Sequence, residues 1–540
     1  MKGSRQYVIT SIILASILVL FSDIQYVGAE AIWTVGSQIS GVAASGDNVY
    51  VLWQNNSPDQ NVYFRRSTDG GVTFDRVINL SNAVPPALGT SPKMAVSGNN
   101  VYVAWTDRVT LGSNSTVLFR RSTDGGATFE DAQVLSTNSK RESGIQQLFT
   151  LNNKVYALMI DEWAGNGTYY YDSTFRVSDN SGKTFSPPVS LLPSLSHSNI
   201  RGVTSVAASP SGDIVYAVGV DYGDCRPERR ICNDDARIFF KQSTDGGHTF
   251  SEAKTIKRPS GIVTHTTSGR AASAPSWIQV GADNTHVGIV WGESPISSEQ
   301  GSIFLALSSD MGETFTAPVA LDAGAKGVSD WPLLLPAADI MYVAWNSRQD
   351  NYSLPHIGLI RINSDGSFTQ PINVTGKSDV PGWDIAASGD SVFVAASNYT
   401  KNAGTGLPDG IDVYFYASAD KGNSFEAPVA LSNDNAIKTL LAAQQKSLSF
   451  ISPMLAVSGE RVYVVWGASY PDSHEIYIRA SDDNGHTFGR MISLNEATNE
   501  PVSKVLALIT STPATYITII ASVGVAAIVS ILVVKRQGNK

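Results

Sequence analysis

Two cysteines and seven histidines are all that this chain of 540 residues offers to a transition metal. No His-Glu-x-x-His spacing occurs, so the usual zinc-hydrolase signature is missing. Charge is also scarce, at 16% of residues, and it sums to −9. That balance, with no long basic run, argues against a nucleic-acid partner. Apolar residues make up 42%, too many for a disordered chain and enough for a large core.

The two ends differ from the middle. Lys2 and Arg5 precede an apolar run from Val8 to Phe21, and Val27-Gly28-Ala29 follows. This is the order of a secretory signal over residues 1–29, with an uncleaved anchor as the alternative. Thr515 to Val534 is 20 residues without a charge, followed by Lys535, Arg536 and Lys540. A membrane span needs about 20 such residues, and the cations mark residues 535–540 as a cytoplasmic tail. A buried core helix is the rival reading. The expectation is an ectodomain over 30–500, a linker over 501–514, and a single-pass protein of the cell membrane. Asn-x-Ser/Thr acceptors at Asn55, Asn79, Asn114, Asn166, Asn351, Asn373 and Asn398 permit glycosylation in that compartment. There Cys225 and Cys232, in "CRPERRIC", are expected to close a local disulfide. A two-cysteine metal site is the alternative, with no further ligand close by in sequence.

The middle repeats itself. "STDGGVTF" at Ser67 returns as "STDGGATF" at Ser122 and "STDGGHTF" at Ser243, with paler copies at Ser178, Ser308, Ser418 and Ser481. The third place holds Asp69, Asp124, Asn180, Asp245, Asp310, Asp420 and Asp483, and an eroded copy keeps Asp365. Each box follows a "VYVAW"-like strand and a tight-turn signal such as "SGDN". Four short strands per unit is the composition of a propeller blade. Eight units are expected, over about 38–81, 91–136, 144–192, 202–257, 273–322, 329–375, 379–432 and 451–495. The predicted fold class is therefore all-β, an eight-bladed propeller plus one C-terminal transmembrane helix; seven blades with a stray unit is the alternative. Within a box, Asp holds the turn, Gly at the fifth place takes positive φ, and Phe is buried between sheets. A calcium site there lacks the spacing of an EF-hand loop.

These boxes resemble the Asp-box, or BNR, repeat of sialidase-like propellers. The resemblance implies a β-propeller and, beyond it, glycan chemistry. It does not supply a catalytic centre: no Arg-Ile-Pro occurs, and "AEAIWTVGSQISG" at the expected mature start contains no arginine. The function expected is a surface recognition or adhesion module for glycans, envelope polymers or protein. A sialidase-like glycoside hydrolase and a structural envelope protein are the alternatives. No cofactor or metal is expected.

Topology sends tight turns and boxes to one face and all variable loops to the other, where binding usually sits. Charges after the second strands are the candidates there. Asp107, Asp161, Glu162 and Glu293 could pair as acid and base, with Arg108, Arg201, Arg270 and Arg348 as ligand contacts. Most of these charges also have a plainer reading, as solvated loop charges or ion pairs. Tyr399, Trp163 and Trp331, read as loop residues, could stack on sugars or pack inside. Asn435 to Ser449 reads as a short helix. Edman sequencing of the mature protein is expected to begin at Glu30; a start at Met1 would refute the signal assignment.

Overall fold

The computed structural model describes residues 38–55, 60–81, 90–108, 114–136, 142–165, 168–192, 202–221, 225–226, 231–232, 237–257, 276–293, 301–322, 327–348, 355–376, 380, 382–401, 408–432, 449–469 and 474–495. The expected signal, linker, span and tail lie outside the described residues, as does the expected 435–449 helix apart from Ser449. Among the described residues no helix is long and apolar enough to cross a membrane.

Residues 32–495 form one compact unit. Along it run eight antiparallel sheets of four strands, each built from one consecutive stretch of chain. First strands of neighbouring sheets touch in sequence around a ring, and the first sheet meets the last. The fold is an eight-bladed β-propeller, and the seven-bladed alternative falls away. A small ninth sheet pairs the backbone of Cys225 with that of Cys232.

The "VYVxW" strands explain the ring. Val49, Val51 and Trp53 leave one face of blade 1 and Tyr50 and Leu52 the other, and all five are fully buried. A strand apolar on both sides needs a neighbour on each. Tyr50, Leu52 and Phe64 pack on Val101, Val103 and Trp105 of blade 2. Val49, Val51 and Trp53 pack on Tyr463, Val465 and Ile476 of blade 8. The ring therefore closes by side-chain packing, and among the described residues no strand is exchanged between the first and last blades. The buried Arg65 supports this closure by donating from Nη1 to the carbonyl of Leu494, at 2.8 Å. Arg176 makes the same backward bond from blade 3 to Leu135, also at 2.8 Å.

The boxes form as their residues dictate, and they do more than hold a turn. In blade 2 the Ser122 hydroxyl donates to Asp124 Oδ1 (2.7 Å) and accepts the Gly126 N–H (2.8 Å). The Thr128 N–H and hydroxyl donate to the two carboxylate oxygens, at 3.0 and 2.6 Å. Equivalent bonds recur at Asp69, Asp245, Asp310, Asp420 and Asp483. Asn180 keeps the pattern by donating from its amide to the Thr184 hydroxyl. The Gly125 N–H reaches the Asn99 carbonyl at 2.8 Å, and the boxes of blades 1, 3, 4, 7 and 8 lean on the first turn of their own blade in the same way. Boxes and tight turns thus share a face.

Five of the clasps also grip the blade before them through an edge-on ring contact. The Phe129 ring meets Phe64 of blade 1 edge-on, with centroids 5.0 Å apart at 78°. Phe185 on Phe119, Phe250 on Phe175, Phe315 on Phe240 and Phe488 on Phe415 repeat this contact. Glycine at the fifth place has two reasons: Gly126 has φ of 78°, and a Cβ on it would stand 2.7 Å from the Phe64 ring. Arg66 of blade 1 adds a bond from Nη1 to the Gly125 carbonyl at 2.9 Å. Between blades 5 and 6 this clasp is missing. Phe368 of the eroded box is 43% exposed, and blade 5 presents Leu305 where blades 1 to 4 and 7 present a phenylalanine; blades 6 and 8 present Leu359 and Ile478 there. Asn284 Nδ2 to Asp339 Oδ1, at 2.8 Å, joins the turns there instead.

Two outcomes follow from the boxes. Phe74 is 1% exposed, so Phe74→Ala is expected to cost about 3–5 kcal/mol in urea unfolding. The half-buried Phe129 should cost less on the same substitution. Burial presses the Asp124 carboxyl upward, but Thr128, Ser122 and Ala127 outweigh it and hold its pKa down at about 2. The Thr314 and Ser308 bonds likewise hold Asp310 at about 2. Folded values below the unfolded 3.8 mean stability that is present above that pH and lost as pH falls through about 2. The melting temperature should therefore drop steeply across that window, and Asp124→Asn should flatten the drop; an unchanged slope would contradict the assignment.

Candidate functional site

The first strand of most blades carries a bulge near its start, on the face opposite the boxes. In blade 5, Ser276 pairs with Gly292 and Gln279 with Val290, which leaves Trp277 and Ile278 between them. In blade 6, Asp330 pairs with Asn346 and Leu333 with Ala344, leaving Trp331 and Pro332. Blade 2 has the same bulge at Ser91 and Pro92. The leading residue has positive φ in all three: 51° at Trp277, 55° at Trp331 and 52° at Ser91. That conformation is strained for a bulky side chain. Because blade 2 builds it with serine, the bulge itself does not require tryptophan.

Blades 5 and 6 are neighbours, so the two indoles meet. Their centroids lie 5.7 Å apart at 37°. Trp277 is 44% and Trp331 58% exposed, although both are large apolar groups. They open onto a cavity of about 1030 Å³, walled mainly by the first strands of blades 3 to 7. Trp383 of blade 7 adds a third indole and donates from Nε1 to Asn346 Oδ1 at 2.6 Å. Among the described residues the wall has one charged side chain, Arg348, and no carboxylate. Arg348 Nη2 lies 2.7 Å from Asp330 Oδ2. Asp330 is buried behind it; burial raises the carboxyl's pKa, and Arg348 opposes that rise.

Deeper in the channel, side chains stitch successive first strands together. Gln147 Oε1 accepts the Val206 N–H (3.0 Å), Ser205 Oγ that of Val280 (3.3 Å), and Gln279 Oε1 that of Leu334 (2.9 Å). Asp384 Oδ2 takes the same part for Leu455, at 2.8 Å. The residue keeps some exposed surface, yet burial of the carboxylate pushes its pKa up to about 6 against the Leu455 and Ile385 bonds. These groups are committed to backbone and hold the ring's waist.

The carboxylates expected from sequence lie elsewhere. Asp107 belongs to the second strand of blade 2 (Asn100–Arg108), Asp161 and Glu162 to that of blade 3 (Lys154–Gly165), and Glu293 to that of blade 5 (Val287–Glu293). They stand within strands, where solvated loop positions were expected, because the second strands run past their apolar stretch. Asp161 is buried and accepts the Ser143 hydroxyl at 2.5 Å. Glu293 Oε1 accepts the indole Nε1–H of Trp291 at 2.8 Å. Burial raises the pKa of Asp107. None of the four lines the cavity, and Arg108 is turned to Glu142 at 2.7 Å. Arg201 and Arg270 lie outside the described residues. Among the described charged candidates Arg348 alone reaches the wall, together with Trp331 of the expected aromatic ones. Trp331, read as a loop residue, is on a first strand; Trp163 and Tyr399 are on second strands. Of the glycosylation acceptors, Asn114 and Asn373 are exposed, whereas Asn55 and Asn398 are buried.

Sequence reasoning missed Trp277 and Trp383. The available signal was positional: three consecutive units begin their first strand with a tryptophan, in "SWI", "DWP" and "GWD".

No protein-family model matches the chain, and no curated protein matches it. Among solved structures it is similar to a Hadza microbial sialidase, with 14% identity, TM-score 0.33, and coverage of 64% of this chain and 67% of that one. It is also similar to the α-L-arabinanase of Penicillium chrysogenum complexed with arabinobiose, with 13% identity, TM-score 0.35, and coverage of 62% and 94%. A third is the β-propeller domain of the trilobed protease from Pyrococcus furiosus, with 11% identity, TM-score 0.39, and coverage of 74% and 99%. The class stated here, an eight-bladed propeller with an aromatic channel mouth, rests on the sheets and the site themselves.

Proposed function

We propose that this protein is a carbohydrate-recognition propeller displayed at the cell surface. The observation that carries the reading is the exposed Trp277–Trp331 pair, set on strained bulges that blade 2 builds with Ser91. Sugars present apolar C–H faces that stack on indoles and hydroxyls that bond to amides. Gln146, Asn346 and Arg348 supply polar groups beside the rings. The cavity is of a size suited to a small ligand or a chain end. Recognition is favoured over hydrolysis by the wall's composition. The usual retaining and inverting geometries need two carboxyl groups within about 9.5 Å, tyrosine-nucleophile enzymes being an exception, and the described wall contributes no carboxyl group at all. The box repeats support a place among sialidase-like propellers. The signal-like start and the apolar stretch at 515–534 support an extracellular position tethered by one helix.

A glycan array probed with the full-length chain tests the reading. Binding is expected, and Trp277→Ser with Trp331→Ser should abolish it. A panel of fluorogenic glycosides should show no turnover. Turnover, or an array signal indifferent to both tryptophans, would overturn the proposal.

A further inference from the structure

We infer that the glycan bound at the channel mouth is uncharged, a neutral saccharide without carboxylate, sulfate or phosphate groups. This rests on the carbohydrate reading above and adds a substrate class to it.

The argument is one of charge at the wall. Arg348 is the single cation lining the described cavity, and an anionic sugar would need it free. It is not free: Nη2 is engaged by Asp330 Oδ2 at 2.7 Å. Asp330 is 8% exposed and does not line the cavity, and with Arg348 it makes an ion pair of no net charge at the wall. Extracting Arg348 to serve an anion would leave the Asp330 charge buried and unpaired, which is costly. Nor, among the described residues, does a second cation line the cavity. The other polar lining groups are amides and hydroxyls, Gln146, Gln147, Ser205, Gln279 and Asn346, and three of these already hold backbone. Long-range attraction is missing too, since the chain's net charge of −9 repels anions. What remains is two tilted aromatic faces and neutral hydrogen-bonding groups, which suits an uncharged sugar ring.

Calorimetric titration of the full-length chain with cellohexaose, chitohexaose, maltohexaose and mannohexaose, against hexagalacturonate and 3′-sialyllactose, tests this. At least one neutral probe should bind best, with less than about a twofold change in Kd between roughly 50 and 500 mM salt. Trp331→Ser should weaken it about tenfold or more, and Trp331→Phe should restore most of the loss. Serine is the replacement because blade 2 carries it at this bulge. Asp330→Asn should release the Arg348 charge and raise hexagalacturonate affinity by about tenfold at low salt. Tryptophan-dependent binding that is tightest for an anionic probe and collapses with salt would overturn the inference while leaving the carbohydrate reading intact. An Asp330→Asn variant that melts like the parent but gains no affinity for hexagalacturonate would also overturn it. Absence of any tryptophan-dependent binding would overturn both.

Discussion

The edge-on contact between a box phenylalanine and the third-strand ring of the preceding blade governs the rest of this molecule. It couples a local event, a turn held by aspartate and serine, to a long-range one, the seating of one sheet on the next. An isolated blade would leave both apolar faces wet. Phe129 against Phe64 and Phe185 against Phe119 make each sheet's completion depend on its predecessor. The glycine two residues after each aspartate is constrained from both directions, by its own positive φ and by the neighbour's ring. Neither constraint alone would exclude every other residue; together they leave little choice.

This coupling divides labour between the two faces. Boxes and tight turns occupy one face and are nearly fixed in length, because they must meet the adjacent blade in register. The opposite face receives the longer connections, and there the first strands bulge into the channel mouth. Strain at Trp277 and Trp331 is tolerated because the strands beneath are stitched by Gln147, Ser205, Gln279 and Asp384. The rigid part of each first strand ends where the bulge begins, so the site is built on scaffold, not on loops.

The architecture was largely legible in the sequence, since it is written eight times. Alternation in "VYVAW" told of sheets buried on both faces, and the box spacing counted the blades. The candidate site was much less legible. Asp107, Asp161 and Glu293 drew attention as charges ending apolar strands, yet they satisfy neighbours within their own blades or are half-buried there. Trp277 and Trp331 gave no periodic signal, because a bulge breaks the alternation that makes a strand recognisable. Their meaning depends on blades 5 and 6 being adjacent and on each tryptophan leading its bulge, which requires strand register. The inter-blade role of the boxes was hidden for a similar reason: Phe129 and Phe64 are far apart in the chain, and nothing local announces that they touch.

The eroded sixth box stands at the same blade junction as the indole pair. On one side of the ring Phe368 has let go; on the other, Trp277 and Trp331 face each other across the same gap. A closed ring under load yields where its joints are least braced, and this joint lacks the aromatic brace present at most of the others. The two indoles thus meet at one of three joints in the circle that are held without that brace.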